Sequence, residues 1–308
     1  MDILIAVLTI GLAYGALYAL IALGYTMVYG VIELINFAHG DVFMVGAFIS
    51  LVPLRALFGS TFTTLQGPAL VLALLVSVLV ATIGCGLLGV LIERFAYRPL
   101  RNAPRLAPLV TAIGISFILQ SIVRLWQSDS DHAYPPLIDT ATFQVANTTV
   151  NTNVFIVLGA AVFLMVALDL FINRTRIGRA MRAIAQDSEA ATMMGVDVDR
   201  TIAITFFIGS ALAGAAGVVY GIYVQTISYN IGFIAGLIAF TAAVLGGIGN
   251  IRGAMLGGLL IGMLQTFVSQ QLGGNGAVWA EPAVFAVLIL VLVLRPTGLL
   301  GATVVEKA

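Results

Sequence analysis

Four polar side chains are gathered within nine positions of a chain that is otherwise strongly apolar. The stretch NFAHGD and the residues just before it supply Glu33, Asn36, His39 and Asp41. Two carboxylates, an amide and an imidazole suit a polar solute or a proton relay, yet an ionisable side chain at the centre of a bilayer costs about 3 kcal/mol. We therefore expect these groups, with Gly40 among them, to lie at an interface or to face a cavity lined by protein.

The composition indicates that most of this chain lies within a lipid bilayer. Of its 308 residues, 60% are hydrophobic and 9% are charged, whereas a soluble domain carries roughly 25% charged residues. The formal net charge is zero, which excludes a basic field for nucleic acid. The single cysteine, Cys85, allows no intrachain disulfide.

The sequence gives no sign of chemistry carried out by the chain itself. The two histidines, His39 and His132, lack the spacing of metal ligands, and no phosphate loop of the G-x-x-x-x-G-K type is present. We therefore expect no catalytic residues, no metal, no cofactor and no ATP bound to this chain.

Nine apolar segments approach the 20 residues that a helix needs to cross the hydrocarbon core. Both the start of the chain and the uncharged run 201–251 are hard to divide, so the defensible range is eight to ten spans. We predict an all-α polytopic membrane protein in which residues 1–308 form one transmembrane domain with discontinuous segments. The expected spans are 3–30, 36–54, 68–92, 106–123, 154–172, 203–225, 231–249, 254–272 and 276–294.

The positive residues predict the orientation, because arginine and lysine concentrate in cytosolic loops. With nine spans, the outer side holds only Arg55 and Arg124, so the N-terminus is expected outside and the C-terminus inside. The loop 127–153 would then be extracytoplasmic and the segment 173–200 cytosolic. The expected inner residues are Arg94, Arg98, Arg101, Arg105, Arg174, Arg176, Arg179, Arg182, Arg200, Arg252, Arg295 and Lys307.

Pairs of glycines four residues apart predict a tight bundle. This spacing lets helix backbones approach closely in lipid, where no hydrophobic force draws helices together. The pairs are Gly11 and Gly15, Gly217 and Gly221, Gly232 and Gly236, Gly253 and Gly257, and Gly258 and Gly262.

The polar stretch 33–41 has two possible structures, a short inner loop or a helix break at membrane depth. Only 13 uncharged residues separate Asp41 from Arg55, which is less than a full span, so the break is favoured. Discontinuous helices of this kind bring backbone and side chains to the conduit of a transporter.

A second interruption lies at LGGIGNIRGAMLGG, residues 245–258, where Gly247, Gly249, Asn250 and Arg252 break an apolar run. Interrupted segments in corresponding positions of two halves point to a transport path. If the two interruptions face each other, Arg252 is the natural ion partner for Asp41 or Glu33. This pairing is a hypothesis that a structure tests directly.

The segment 173–200 predicts two short helices. A helix is expected from Gly178 to Ala185, with Arg179 and Arg182 on one face. Asp187 is a plausible N-cap for the turn SEAATMM, and Gly195 occupies a C-cap position.

Arginines that anchor a loop to lipid headgroups are the simplest interpretation of this segment, but they leave its apolar residues unexplained. Ala190, Ala191, Met193 and Met194 would form an exposed patch of small and flexible side chains. Such a patch is typical of docking into a groove of another protein.

The stretch EAATMMG, Glu189 to Gly195, resembles the E-A-A-x-x-x-G loop by which permeases of ABC importers engage their ATPase subunits. Together with NFAHGDVFMVGAF, IERFAYRPLR and RIGRAMRAIAQDSEAATMMGV, it makes the chain similar, over nearly its whole length, to the LivH-type permeases of branched-chain amino acid ABC importers. One departure from the general ABC pattern is VDVDR after Gly195, where other importers have an apolar tail with proline.

The resemblance implies a complex in the bacterial inner membrane. Its expected partners are a second, LivM-type permease, two cytosolic ATPases that bind ATP and Mg²⁺, and a periplasmic protein that captures leucine, isoleucine or valine. The residues implied in ATPase coupling are Gly178, Arg179, Arg182, Glu189, Ala190, Ala191 and Gly195. The two interruptions would lie nearest the substrate path.

Two alternatives remain open. A stand-alone proton-coupled carrier would use Glu33, His39, Asp41 and Asp169 as a relay, but it would have no need of an apolar docking patch. A permease for urea or short amides stays within the same family. Such relatives often carry a long N-terminal extension, whereas this chain opens directly on an apolar run.

Overall fold

The computed structural model describes residues 2–58, 67–101, 103–104, 106–138, 141–145, 148–272 and 276–301. Short π-helical turns occur at Val7–Gly11 and Glu93–Tyr97, and a 3-10 turn at Arg98–Leu100. The helices are α1 (Asp2–Ala6), α2 (Leu12–Ile32), α3 (His39–Phe58), α4 (Pro68–Ile92), α5 (Leu106–Gln127), α6 (Asn153–Arg174), α7 (Arg176–Gln186), α8 (Ser188–Met193), α9 (Val198–Val224), α10 (Ile231–Gly246), α11 (Ile251–Gln271) and α12 (Gly276–Leu294). The strands are β1 (His132–Ala133), β2 (Thr142–Val145), β3 (Thr148–Asn151) and β4 (Thr226–Ile227).

Within these residues, eight helical segments are long and apolar enough to cross a membrane, and α10 is a shorter apolar helix. The prediction of an all-α polytopic protein with eight to ten spans is confirmed. The uncharged run 3–32 lies in one segment of 31 residues, Asp2–Ile32, in which α1 and α2 join through a π turn. The 16 residues of α10 extend about 24 Å, less than the hydrocarbon core of about 30 Å.

The two ends of the bundle differ in charge, as the arginine count predicts. Arg55 lies at one end, where its guanidinium donates to Gln127 Oε1 at 3.1 Å, and Arg124 pairs there with Asp129. The remaining arginines that the structure describes lie at the opposite end, near the starts of α5 and α9 and the ends of α4 and α6. Which end faces the cytosol stays a prediction, and Arg105 and Lys307 lie outside the described residues.

Two small antiparallel sheets cover the end that carries Arg55. Strand β1 pairs with β4, and β2 pairs with β3. The first sheet ties the segment after α5 to the segment after α9, so the carboxyl ends of these two helices lie at the same end of the bundle.

Glycine sets how closely the central helices approach one another. Helix α2 packs along α11, where a methyl group on Gly262 would overlap the backbone of Gly15 and one on Gly258 would overlap Ala19. Helix α9 contacts α4 in the same way, with Gly214 against Ala81. The expected tight bundle is therefore present, and at these positions glycine allows the backbones of two helices to touch.

The polar stretch forms a helix break inside the bundle. Helix α2 ends at Ile32, and the next helix begins at His39 after a non-helical segment. His39 packs against Gly24, which precedes the end of α2 by eight residues or about 12 Å along its axis. Since His39 is 1% exposed and Asp41 is 0% exposed, the structure favours the helix break over a surface loop.

Replacing Gly262 by alanine should separate α2 from α11, because the added methyl group meets backbone atoms that cannot rotate away. Overpacking of this kind costs roughly 1–3 kcal/mol. The matched control is Gly159→Ala in α6, where an added methyl group meets no atom within 4 Å. Thermal unfolding of the detergent-purified protein should show a lower midpoint for Gly262→Ala alone. Equal midpoints would contradict the packing described here.

Candidate functional site

A polar cluster joins the first turn of α3 to the middle of α5. Ser116 donates its hydroxyl proton to Asp41 Oδ2, and Gln120 Nε2 lies 3.4 Å from the same oxygen. Gln120 also donates to Ser116 Oγ at 3.2 Å. The two donors are four residues apart on α5, so they lie on one helix face. The cluster thus places a carboxylate and two neutral donors in the interior of an apolar bundle.

The second oxygen of Asp41 points toward the start of α10. A methyl group on Gly232 would lie 2.7 Å from Asp41 Oδ1, and this oxygen has no hydrogen-bond partner within the described part of the chain. Helices α3 and α10 therefore both begin beside this carboxylate. The amino end of a helix carries partial positive charge, which stabilises an anion. No side-chain nitrogen of a described arginine or histidine lies within ion-pair distance of the Asp41 carboxylate.

The crossing of α3 and α10 is fixed by three glycines. A methyl group on Gly40 would overlap the carbonyl oxygen of Gly232 and would lie 2.6 Å from the Cα atom of Gly236. This contact leaves no room for a side chain at either helix start. The helix starts beside Asp41 are consequently held by backbone contact.

His39 and Tyr25 complete the cluster on the side of α2. Their ring centroids lie 5.0 Å apart in an edge-to-face arrangement. The imidazole occupies the space that a side chain at Gly24 would need. Of the predicted group, His39, Gly40 and Asp41 are thus in one buried cluster.

Asn36 and Glu33 make their side-chain contacts outside the Asp41 cluster. Tyr97 donates to the carbonyl oxygen of Ile35 and to Asn36 Oδ1, both at 3.2 Å. Glu33 ends α2 with a φ of 53° and is exposed. It lines a cavity of about 780 Å³ together with Arg101 and Glu189. Tyr97, which belongs to the stretch IERFAYRPLR, therefore stabilises the helix break through these hydrogen bonds.

The second interruption, between α10 and α11, is not brought to Asp41. Its Gly249 packs against Gly30 of α2, six residues or about 9 Å beyond Gly24 along that helix. Asn250 accepts from the backbone N–H of Gly253 and donates to the carbonyl oxygen of Leu300. Its amide is engaged in capping α11 and in holding the segment after α12.

Gly247 has a related structural role at the same place. Its φ of 107° is a conformation that side chains rarely adopt, and its α-carbon packs against Gly301 and Leu300. Gly247 and Asn250 together fasten the segment 295–301 to the loop between α10 and α11.

The hypothesis that Arg252 pairs with Asp41 or Glu33 is wrong. Arg252 Nε lies 3.7 Å from Asp169 Oδ1, and the arginine side chain is 78% exposed. Arg252 stands in the first turn of α11 at the arginine-rich end, while Asp41 is enclosed in the bundle and contacts neutral donors through Oδ2. Asp169 is thereby held near the surface by an ion pair.

Three functional candidates of the cluster are absent from the predicted set, namely Tyr25, Ser116 and Gln120. Ser116 and Gln120 carried a recognisable signal, since two hydrogen-bonding side chains recur at a helical interval within the otherwise apolar α5. Tyr25 carried none, because an aromatic residue in an apolar span is expected in any core.

The segment 173–200 folds as predicted at its helix ends. Asp187 Oδ1 accepts from the backbone N–H groups of Glu189 and Ala190, both at 2.9 Å, and so caps α8. Gly195 adopts a φ of 82° and donates to the carbonyl oxygen of Thr192 at 2.9 Å. The two predicted caps are confirmed.

The first of the two helices, α7, is locked against α6. A side chain at Gly178 would overlap the carbonyl group of Ile172, and Arg182 donates to that same oxygen. Arg179 is exposed. The two arginines therefore differ in role, since Arg182 satisfies the end of α6 while Arg179 faces outward.

The predicted apolar patch needs one correction. Ala191 is 4% exposed, because the chain turns back behind α8 and the backbone N–H of Val196 donates to its carbonyl oxygen. Ala190 is exposed, and Met193 and Met194 are 86% and 85% exposed. We call these three exposed residues the α8 patch.

Ion pairs connect this region to the end of α4. Arg101 pairs with Glu93 and, at 2.5 Å, with Asp199 in the first turn of α9. Arg98 pairs with Asp199 as well. Because Asp199 follows α8 by only a few residues, the network fastens the base of α8 and α9 to the bundle.

The opposite end of the bundle is closed by Tyr134, which lies between β1 and the membrane-spanning helices. Its hydroxyl is 2.9 Å from Ser50 Oγ on α3, and its ring fills the space beside Gly221 on α9. Burial raises the pKa of the Tyr134 phenol to about 12, although the hydrogen bond to Ser50 opposes this shift. The phenol is consequently neutral at physiological pH.

Removing Arg101 should be far more damaging than removing Arg252. The Glu93 side chain is 2% exposed, so Arg101→Ala strands a buried carboxylate, which costs roughly 3–5 kcal/mol. Arg252 is mostly exposed, and the loss of an exposed ion pair costs about 0–1 kcal/mol. Thermal unfolding of both variants measures the difference. A similar small loss for both would show that Glu93 does not depend on Arg101.

Comparison with known proteins agrees with this architecture. Residues 7–294 match the family model described as the branched-chain amino acid transport system / permease component. The chain is 45% identical to the high-affinity branched-chain amino acid transport system permease protein LivH of Escherichia coli K12, over 96% of this chain and 95% of that one. It is 44% identical to the corresponding permease BraD of Pseudomonas aeruginosa, with the same coverage. A probable LivH permease of Methanocaldococcus jannaschii is 28% identical over 94% of this chain and 90% of that one. The chain belongs to the family of branched-chain amino acid transport permeases.

Proposed function

We propose that this chain is a membrane-spanning permease subunit of an ABC importer in the bacterial inner membrane. It moves leucine, isoleucine or valine by alternating access, driven by ATP hydrolysis on partner subunits. The substrate class rests on the two relatives of 44% and 45% identity, whose names specify branched-chain amino acid transport. No step of chemical catalysis is assigned to this chain.

The observation that carries the proposal is the α8 patch. Ala190, Met193 and Met194 protrude at the arginine-rich end, on a helix that is capped and fastened to the bundle. Methionine side chains are flexible and polarisable, which suits a binding groove that changes shape. An ATPase subunit that closes on nucleotide supplies such a groove.

The ion-pair network and α7 would transmit the movement of the docked ATPases. Asp199 lies in α9, which packs against both α4 and α3, and α3 carries Asp41. Binding energy that differs between two conformations is what a nucleotide cycle uses to shift their populations. A displacement of α8 would therefore reach α3, which carries Asp41, through the packing of α9.

The remaining partners follow from the nature of such a system. We expect a second related permease beside this chain, two cytosolic ATPases with ATP and Mg²⁺, and a periplasmic binding protein that delivers the substrate. Selectivity is then shared with the binding protein, and the permease holds the amino acid only in transit.

The stand-alone proton carrier is less well supported. Its proposed relay needs Glu33, His39, Asp41 and Asp169 in sequence, yet Glu33 is exposed at the end of α2 and Asp169 pairs with Arg252. The urea and short-amide alternative has no structural observation in its favour.

Copurification tests the proposal. The tagged chain is extracted gently from native membranes, and the proteins that accompany it are identified by mass spectrometry. Two ATPases and a second permease should accompany the unaltered chain. The double variant Met193→Asp, Met194→Asp should lose the ATPases by tenfold or more, because charged side chains cannot enter an apolar groove without a cost of about 1.4 kcal/mol or more.

The matched control is Phe143→Asp, which alters an exposed apolar residue at the opposite end of the bundle. Its recovery of ATPases should equal that of the unaltered chain. Ala191→Asp is unsuitable as a docking variant, because Ala191 is buried. If the chain comes out alone, the importer assignment is wrong. If the ATPases persist in the double variant, the α8 patch is not their docking site.

A further inference from the structure

We infer that the Asp41 carboxylate receives the ammonium group of the transported amino acid when α5 moves away from α3. The inference rests on the proposed function, and it names the chemical group by which the polar cluster recognises its substrate. Ser116 and Gln120 hold the place of the ammonium group in the closed conformation.

The charge of Asp41 is not balanced by a cation within the described part of the chain. Asp41 is 0% exposed, and no described cation compensates it. Its interactions are two neutral donors and the partial charges of two helix starts. An isolated carboxylate in an apolar interior is strongly destabilised unless it is paired. The site is therefore built to gain from one positive charge.

The Asp41 carboxylate also has unused hydrogen-bonding capacity. A carboxylate accepts about four hydrogen bonds, and Oδ1 of Asp41 has no partner in the described ranges. An ammonium group donates three. It can replace both neutral donors at Oδ2 and also reach Oδ1, so the carboxylate itself loses no hydrogen bond in the exchange.

The position of α5 makes it the element that separates. Its packing is chiefly against α3 and the turn Glu93–Tyr97, and much of its surface is exposed apolar side chain, such as Val110 and Phe117. Helices α3 and α10, by contrast, are joined by direct backbone contact at Gly40 and Gly232. Opening along α5 exposes Asp41 without breaking the glycine crossing.

The first experiment measures the uptake of radiolabelled leucine by the complete transporter in cells. Asp41→Asn keeps the shape and the hydrogen bonds to Ser116 and Gln120 but removes the charge. Uptake should fall at least about 30-fold, because the buried ammonium group would lose its charged partner. Copurification of the ATPases reports whether the variant is still folded and assembled.

The matched control on the same helix is Ser121→Ala. Ser121 is an exposed hydroxyl next to Gln120 and lies outside the cluster. Its uptake should equal that of the unaltered chain. If Asp41→Asn assembles and transports leucine at the normal rate, the inference is overturned.

The second experiment follows access to the cluster with a cysteine. Cys85 is the only cysteine of the chain, so Cys85→Ala, Ser116→Cys places a single thiol beside Asp41. A neutral, water-soluble maleimide should label this thiol only during ATP hydrolysis. A thiol that stays unreactive throughout turnover would overturn the inference, because α5 would not have separated.

Two fragments of leucine then identify the group that is recognised. 3-Methylbutylamine retains the ammonium group and the branched chain, and 4-methylpentanoate retains the carboxylate and the branched chain. The amine should slow labelling threefold or more, while the carboxylate leaves it unchanged, and Asp41→Asn should abolish the protection. Equal protection by the carboxylate, or protection by Na⁺ alone, would overturn the inference.

The proposed function and the role of Asp41 are tested by different outcomes. An unaltered complex that shows no ATP-driven uptake of leucine removes the proposed function. An unaltered complex that transports leucine while Asp41→Asn also does so removes only the role of Asp41.

Discussion

Close contact between helix backbones is the constraint on which the rest of this structure depends. In lipid no hydrophobic force draws helices together, so attraction must come from short-range packing. Glycine on both sides of a crossing allows such packing, as for Gly15 with Gly262 and Gly40 with Gly232. These crossings fix where α2 meets α11 and where α3 meets α10. The second crossing also places Asp41 of the polar cluster beside the start of α10.

The polar cluster exists because the glycine crossings create a helix start inside the bundle. A helix that begins at depth presents unpaired backbone N–H groups there. Asp41 in the first turn of α3 lies beside such groups from its own helix and from α10. The same backbone geometry therefore stabilises the carboxylate and keeps it away from the arginines, which gather at the bundle end.

The sequence allowed the fold class, the spans and the helix break to be predicted, because each leaves a local pattern. The lengths of the apolar runs identify the membrane-spanning segments. Only 13 uncharged residues separate Asp41 from Arg55, which is less than a full span, so this helix is expected to begin inside the membrane. The caps at Asp187 and Gly195 are equally local. The pairing of Arg252 could not be predicted, since it depends on which elements meet across the bundle. The predicted exposure of Ala191 was wrong for a similar reason, because its burial depends on the turn that follows α8.

Tyr134 has a consequence for the membrane in which the chain resides. Its ring closes one end of the bundle against Gly221 and Ser50, and the carboxylate of Asp41 beneath it has no exposed surface. A bacterial inner membrane stores energy as an electrical potential and a proton gradient, and any continuous wet path through it would discharge both. The neutral phenol of Tyr134 provides no charged group that would attract ions into the bundle. A tightly packed neutral ring at this end therefore opposes ion leakage toward Asp41.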